Sequence, residues 1–272
     1  MKKSVVILLS FLTLFGSSCK KETKTTRISG CTDPMSITYN EFANTDDSSC
    51  VYATFSKKVL VIKGTGQSCY PCGAYGVPLS DSLLKVFPDI DLVTIHYNDD
   101  FQSPSLDSIK KDLRNGGIPF FMVGKEALSA FPDLVFARVQ DELNREPQVQ
   151  LVTSFEIKGG EMSIDVATRK VPGTKREFNV AIYILEDNQI GPQLGQPIKN
   201  YEHNHVLRKV LDDKTYGVPI IYDGVSSSAH FTINLEEIYS TEKQPLVPNN
   251  CYPVAVIWEK RVYGFEFINV AS

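Results

Sequence analysis

The chain has 272 residues, of which 42% are apolar and 10% aromatic, so it can bury a substantial core and form about two domains. This composition excludes an intrinsically disordered protein. The formal net charge is −4, and lysine and arginine cluster only at the start of the chain. Because no basic surface is available to hold a polyanion, we predict no nucleic-acid partner.

The first 19 residues have the pattern of an export signal. Two lysines precede an apolar run from Val5 to Phe15, which is too short to span a bilayer. The run ends in small residues before Cys19 and resembles a bacterial lipobox, although Gly16 stands where leucine is usual. The resemblance implies that Cys19 is lipidated and becomes the mature N-terminus. The alternative is an ordinary cleaved signal peptide.

Residues 20–29 are rich in lysine and threonine and are predicted to be a flexible tether. No later segment is apolar enough to cross a bilayer, so the predicted membrane contact is the lipid anchor alone. Export also changes how the remaining cysteines are interpreted, because disulfides persist outside the cytoplasm. Their spacing predicts two short-range pairs and one unpaired, buried cysteine: Cys31 with Cys50, Cys69 with Cys72, and Cys251.

Residues 30–52 are predicted to be a small module closed by Cys31 and Cys50. The stretch has too few apolar residues for a core, so it needs the roughly 3 kcal/mol that such a loop closure supplies. It resembles a short disulfide-closed module found after the tether of many exported bacterial surface proteins. Asp33, Asp46 and Asp47 are interpreted either as calcium ligands, without EF-hand spacing, or as the acceptors of Asx turns.

Residues 55–146 show alternating strand and helix patterns. Strands are predicted at 59–62, 91–97 and 118–123, and helical segments at 69–87, 105–115 and 133–144. This order predicts right-handed crossovers onto one sheet. After Pro147 the helical patterns largely end, and a hairpin turning at Gly159–Gly160 is followed by further strands. Residues 147–272 are therefore predicted to be a second, antiparallel domain with a β-sandwich architecture.

The pair Cys69 and Cys72 lies between a predicted buried strand and the start of a helix. Two intervening residues on a first helical turn bring the sulfurs close enough to bond, and free backbone N–H groups there favour a thiolate at Cys69. Cys69 would attack a substrate disulfide and Cys72 would resolve the mixed disulfide. Paired cysteines also bind zinc, but no second pair is present to complete such a site.

The part of the chain around Cys69 and Cys72 resembles the thioredoxin fold, in which a cis proline before the third core strand lies opposite the cysteines. Ile118–Pro119 occupies that place in the order of elements. Alternatively, Pro119 simply begins an edge strand. Two residues depart from the thioredoxin pattern, since Lys63 replaces the buried acid and Ser68 the usual tryptophan. A nearby ammonium would favour the Cys69 thiolate but would not relay protons as the acid does.

A more particular resemblance covers residues from about 57 to the C-terminus. It depends on Thr65–Gly66, the two cysteines, His96 and the later stretch AIYILEDNQIGPQLGQPIKNYEHNHVLRKVL, within which YEHNHVLR (Tyr201–Arg208) is the most specific part. These features are similar to the twenty-eight-kilodalton outer-membrane protein family of Gram-negative bacteria. The resemblance implies an outer-membrane lipoprotein with an α/β thioredoxin-like domain followed by an all-β immunoglobulin-like sandwich domain.

Two functions remain open from the sequence. The first is thiol–disulfide exchange on exported proteins, with Cys69, Cys72 and Pro119 as the catalytic residues and no cofactor beyond the redox-active disulfide and the lipid on Cys19. The second is surface binding or attachment, in which the thioredoxin-like fold is a scaffold and the cysteine pair is structural. His203 and His205 are interpreted as hydrogen-bonding residues in preference to a metal site, because no third ligand is evident.

Overall fold

The structure is a computed structural model, and it describes residues 26–36, 38–52, 55–113, 117–238 and 245–272. The export signal, Cys19 and most of the tether lie outside these residues, so lipidation of Cys19 stays a prediction. Within the described parts of the chain, none of the helices is both long enough and apolar enough to span a bilayer.

The N-terminal module is built around a disulfide bond between Cys31 and Cys50, with an S–S distance of 2.00 Å. Two short strands, β1 (Ser29–Gly30) and β2 (Thr45–Asp46), pair in parallel beside it. Cys31 is fully buried and Cys50 partly so. The module therefore has the closed loop that its spacing predicts.

The three aspartates of this module are used as turn acceptors. Asp33 Oδ1 accepts the Met35 N–H at 2.9 Å. Asp46 and Asp47 each accept the N–H two residues later, at 3.0 Å. These are Asx turns, as one of the two interpretations predicts, and no cluster of three or more metal-ligating side chains occurs among the residues that the structure describes.

The next part of the chain contains four strands and three helices. They are β3 (Val59–Thr65), α1 (Val77–Val86), β4 (Ile90–His96), α2 (Leu106–Leu113), β5 (Phe120–Val123), β6 (Glu126–Ser129) and α3 (Pro132–Leu143). β3 pairs in parallel with β4 on one side and antiparallel with β5 on the other, and β6 follows β5 antiparallel. This is the order and pairing of the thioredoxin fold. The predicted second crossover is wrong, because β5 runs antiparallel to β3; among the described strands of this part, only β3 and β4 pair in parallel. The strand β6 was not predicted.

The central strand β3 is buried along its whole length because both faces of the sheet are covered. Leu60 and Ile62 belong to an apolar cluster on one face, whereas Val59 and Val61 belong to a second cluster on the other. The alternation of side chains along a strand explains why four consecutive apolar residues are needed here. A strand covered on both faces positions the loop that follows it, which carries the cysteine pair.

The C-terminal half is composed of strands and short 3₁₀ turns. The strands are β7 (Val149–Lys158), β8 (Glu161–Lys170), β9 (Phe178–Glu186), β10 (Gln189–Gly191), β11 (Tyr201–His203), β12 (Val206–Val210), β13 (Val218–Pro219), β14 (Ser226–Asn234), β15 (Cys251–Arg261) and β16 (Gly264–Ala271). The 3₁₀ turns are Leu211–Asp213, Leu235–Glu237 and Pro248–Asn250. β7 and β8 form the predicted hairpin, with Gly159 and Gly160 at its turn in positive φ.

The two halves share one sheet. Its main path runs β16-β15-β9-β12-β4-β3-β5-β6, so β12 of the second half lies directly beside β4 of the first. The contact is parallel, with Val206 opposite Thr94, and the Thr94 N–H donates to the His205 carbonyl at 2.7 Å. A separate sheet, β14-β8-β7, packs over the second half through its own apolar cluster. This second sheet provides the layer that a sandwich requires. The domain boundary predicted between residues 146 and 147 stays a prediction, because strands from both sides of it pair in the same sheet.

Candidate redox site

The cysteine pair lies at the carboxyl end of β3, where the chain turns into a helix. Cys69 and Cys72 are joined by a disulfide, and a single turn of π-helix, Cys72–Gly76, leads into α1. Cys72 is fully buried, whereas Cys69 is partly exposed. Cys69 is therefore the member of the pair that is more accessible to solvent.

Backbone groups surround the Cys69 sulfur. The Cys72 N–H points at Cys69 Sγ over 3.2 Å. On the other side, the Ile118 carbonyl oxygen lies 3.9 Å from the same sulfur. The Ile118–Pro119 peptide bond is cis, as the resemblance to the thioredoxin fold implies. The structure thus brings Cys69, Cys72 and Pro119 together. The Cys72 N–H, which the Cys69 carbonyl also accepts at 3.1 Å, favours negative charge on the sulfur once the disulfide is reduced.

Lys63 lies on β3 beneath the site, and its side chain is 8% exposed. Its Nζ donates a hydrogen bond to Ser80 Oγ on α1 at 3.1 Å. Burial lowers the pKa of the Lys63 ammonium to about 8, although Asp81 opposes the shift. The basic residue in the position of the thioredoxin acid is therefore held by the helix that follows the cysteines.

Asp99 fixes the loop before Cys69 through a hydrogen bond to its backbone. Asp99 Oδ2 accepts the Gln67 N–H at 2.9 Å and pairs with His96 Nδ1 at 2.8 Å. Burial opposes ionisation of Asp99, but these hydrogen bonds outweigh it and keep the pKa of the carboxyl below its usual value. Burial also lowers the pKa of His96, so the ring is neutral at pH 7 and donates from Nδ1. His96 therefore supports the loop through its contact with Asp99.

A segment of the C-terminal half covers the other side of this loop. We call residues 191–199, which run from the last residue of β10 towards β11, the clamp. The Leu194 N–H donates to the Gln67 carbonyl at 2.8 Å. Gln193 Nε2 lies 3.2 Å from the Gly66 carbonyl and 3.4 Å from that of Cys69, and Gln196 Nε2 donates to the Gly73 carbonyl at 2.7 Å.

This role of the clamp was not predicted from the sequence. Its residues fall within the stretch singled out for the family resemblance, where GPQLGQ combines two glycines with two glutamines. That pattern is typical of a backbone that approaches another backbone closely and donates to its carbonyls. A signal was therefore present, but nothing in a single sequence indicates which segment such a loop contacts.

The two histidines of YEHNHVLR do not share a face. His203 ends β11, is buried, and places Nε2 3.3 Å from the Pro192 carbonyl. Burial lowers the pKa of His203 to about 3. His205 has a φ of 58° and hydrogen-bonds to Tyr252 through Nδ1 at 2.7 Å. The hydrogen-bonding interpretation of this pair agrees with the structure, because the left-handed residue breaks the alternation that a strand would provide.

Cys251 is a free thiol at the start of β15 and is buried. Its Sγ lies 3.5 Å from the Val247 carbonyl oxygen. Burial raises the pKa of the Cys251 thiol to about 12, so it stays protonated and unreactive at neutral pH. The prediction that Cys251 is a small buried apolar residue agrees with this position.

Comparison with known proteins gives matches of fold only. No family model matches the chain, and no curated protein matches it. Among solved structures, HBP35 of Porphyromonas gingivalis is similar with a TM-score of 0.66 and 15% identity, over 80% of this chain and 75% of that one. A protein of Agrobacterium tumefaciens is similar with a TM-score of 0.50 and 15% identity, over 80% of this chain and 95% of that one. The TM-scores show a shared fold, whereas identities this low carry no argument about function, which must come from the site.

Proposed function

We propose that this protein is an outer-membrane lipoprotein that exchanges disulfides with exported proteins through Cys69 and Cys72. The observation that carries the proposal is the surroundings of the Cys69 sulfur. It lies 3.2 Å from the Cys72 nitrogen and 3.9 Å from the carbonyl oxygen of the cis Ile118–Pro119 bond. Cys69 is partly exposed, whereas Cys72 is buried. An attacking sulfur must be reachable, and a resolving sulfur must be protected from outside thiols. The described geometry satisfies both requirements.

The exchange has two steps when the pair starts reduced. The Cys69 thiolate attacks a disulfide of the partner, forms a mixed disulfide and releases one partner thiolate. The Cys72 thiolate then attacks the Cys69 sulfur, closes the Cys69–Cys72 bond and releases the second partner thiolate. Two electrons pass from the pair to the partner, and a dithiol reductant restores the pair. The Cys72 N–H beside the Cys69 sulfur stabilises the thiolate in the first step.

The site of action follows from the N-terminus. A lipid on Cys19 would anchor the chain, and residues 20–29 would hold the folded part away from the membrane on its periplasmic or surface side. The resemblance to the outer-membrane protein family supports that location. Incorporation of a labelled fatty acid into the full chain, and its loss in Cys19→Ser, tests the anchor independently of the redox chemistry.

Trapping tests the redox function directly. In Cys72→Ser the first step proceeds and the second is blocked, so we expect mixed disulfides with envelope proteins, visible as reductant-sensitive bands. Cys69→Ser, which keeps Cys72 but lacks the attacking sulfur, is the matched control and should trap none. If Cys72→Ser captures no partner where an unrelated envelope oxidoreductase does, the proposal fails and the scaffold function predicted as the alternative is favoured.

A further inference from the structure

A groove opens beside the redox pair, between the clamp and the loop that carries Gln67 and Ser68. Its volume is about 550 Å³, and residues 98–100 form a third wall. We propose that this groove binds an extended polypeptide segment of the redox partner and selects an apolar side chain next to the reacting cysteine. The inference rests on the proposed function.

The groove is preformed because the clamp is fixed to the cysteine turn by close backbone contact. A Cβ on Gly73 would lie 2.1 Å from the Leu194 carbonyl oxygen. A Cβ on Gly195, which has a φ of +94°, would lie 2.5 Å from the Tyr70 carbonyl oxygen. Only glycine permits both approaches. A rigid wall reduces the entropy that a bound segment must otherwise offset, which favours specific binding.

The chemistry of the walls indicates an apolar ligand with a polar backbone. Leu194 and Ile198 of the clamp are 53% and 58% exposed, and Pro192 lies on the same wall. Apolar side chains gathered at a groove mark an interaction surface more often than a solvated one. Asp100 and Lys199, of opposite charge, also line the groove, which suits a peptide backbone better than an ion of one sign.

The occupant is identified by the continuity of the groove with Cys69. Ser68 lines the groove and is the residue immediately before the reactive cysteine. A segment lying there places its neighbouring residue beside the Cys69 sulfur. The volume falls within the range of about 300–1,000 Å³ typical of ligand sites and accommodates a few residues of an extended chain. The substrate class is therefore a polypeptide that presents its cysteine in an unfolded or looped segment.

Rates of disulfide reduction by the reduced full chain test the groove. The probes are two peptide disulfides of equal length, one with leucine and one with serine on both sides of the cysteine, and hydroxyethyl disulfide as a small substrate. We expect the leucine peptide to react about tenfold faster than the serine peptide, the ratio that about 1.4 kcal/mol of apolar contact produces. Leu194→Ser should reduce the ratio to about threefold or less. Because the ratio compares two substrates on the same variant, a general change in the reactivity of Cys69 cancels.

Ile221→Ser is the control, because Ile221 is 82% exposed and does not line the groove. It should keep the tenfold preference. Two results would overturn the proposed groove: equal rates for the two peptides in the wild type, or a preference that survives Leu194→Ser together with Ile198→Ser. In either case, reduction of hydroxyethyl disulfide would still support the exchange function. Failure to reduce any of the three substrates would overturn the exchange function and the groove together.

Discussion

The two disulfides among the residues that the structure describes are alike in burial and differ in their surroundings. In each, one cysteine is fully buried, Cys31 or Cys72, and its partner is partly exposed. Cys31 and Cys50 are 19 residues apart in a module with few apolar residues. Cys69 and Cys72 are three residues apart at a helix start. Exposure therefore does not decide which bond is exchangeable.

The backbone around the sulfurs makes the difference. Cys69 Sγ faces the Cys72 N–H and the Ile118 carbonyl, and the N–H favours negative charge on this sulfur once the bond is reduced. The exposed end of the other bond lies in a module whose polar groups are already used in turns. A bond that closes a long loop contributes stability, whereas one that spans three residues contributes less and can be opened at lower cost.

The largest expected effect separates the two bonds by activity. Cys69→Ser should lower the rate of hydroxyethyl disulfide reduction about a thousandfold or more, because the thiolate is the nucleophile. Cys31→Ser with Cys50→Ser should leave that rate within about twofold. Comparable losses in the two variants, measured by thiol release, would remove the functional distinction.

Loss of the Cys31–Cys50 bond should lower stability more than loss of the Cys69–Cys72 bond does, the reverse of their effects on activity. Cys31→Ser with Cys50→Ser should cost the module about 3 kcal/mol, since the loop that the bond closes is long. The measurement is native-state hydrogen exchange of the amides in residues 26–52, which reports local opening. Cys69→Ser with Cys72→Ser is the comparison and should leave protection in the module unchanged. Equal protection in both double variants would contradict the structural role of the first bond.

Lys63, in the half of the chain that carries the redox pair, should make the free energy of unfolding depend on pH. Its pKa is about 8 in the folded chain, against an ordinary value of 10.5. Below pH 8 both states carry the charge and the folded state bears the cost of burying it. Between about pH 8 and 10.5 the folded state releases the proton first, so stability rises with pH, by an amount on the order of 3 kcal/mol at most.

The variant that isolates this effect is Lys63→Met, which keeps the length of the side chain and removes the charge. Urea unfolding at pH 7.5 and pH 10 should show a rise in the free energy of unfolding for the wild type relative to the variant. Other groups that titrate in this range are common to both proteins and cancel in the difference. If the free energy of unfolding changes equally with pH in the two proteins, burial of the Lys63 ammonium does not destabilise the folded state.

The smallest expected effect concerns the clamp. Gly73→Ala places a methyl group against the Leu194 carbonyl, so the clamp must shift away from the cysteine turn. We expect reduction of hydroxyethyl disulfide to slow about tenfold, because a small displacement near a reacting atom is costly. Gly117→Ala is the matched control, since a Cβ there meets nothing within 4 Å. Equal rates for the two variants would show that the clamp does not position the turn.

Much of the thioredoxin-like part was predictable because its signals are local. The buried run at Val59–Ile62 indicates β3, and the cysteine spacing with Pro119 fixes the site relative to it. The prediction missed β6, whose exposed residues Glu126–Ser129 lack the apolar pattern of a buried strand. Turn chemistry in the module was also predictable, because each aspartate accepts a hydrogen bond from two residues away.

The features that the sequence did not reveal depend on contacts between distant segments. The clamp reaches the cysteine turn over more than a hundred residues of chain, as the hydrogen bond from Gln193 to Gly66 shows with its separation of 127. β12 joins β4 through a single paired position, Val206 with Thr94. Pairing partners of strands are not encoded in the periodicity of either one, so the prediction of an independent sandwich did not include the shared sheet.

The parallel contact between β4 and β12 has a practical consequence for work with fragments. A piece of the chain that ends near residue 146 would carry both cysteines, yet it would leave the outer edge of β4 without its neighbour and uncover Leu60 and Ile62, whose apolar cluster includes Tyr183 and Leu207. An unprotected, apolar sheet edge of this kind recruits other chains and aggregates. Recombinant preparations intended for redox assays are best made with the C-terminal half attached.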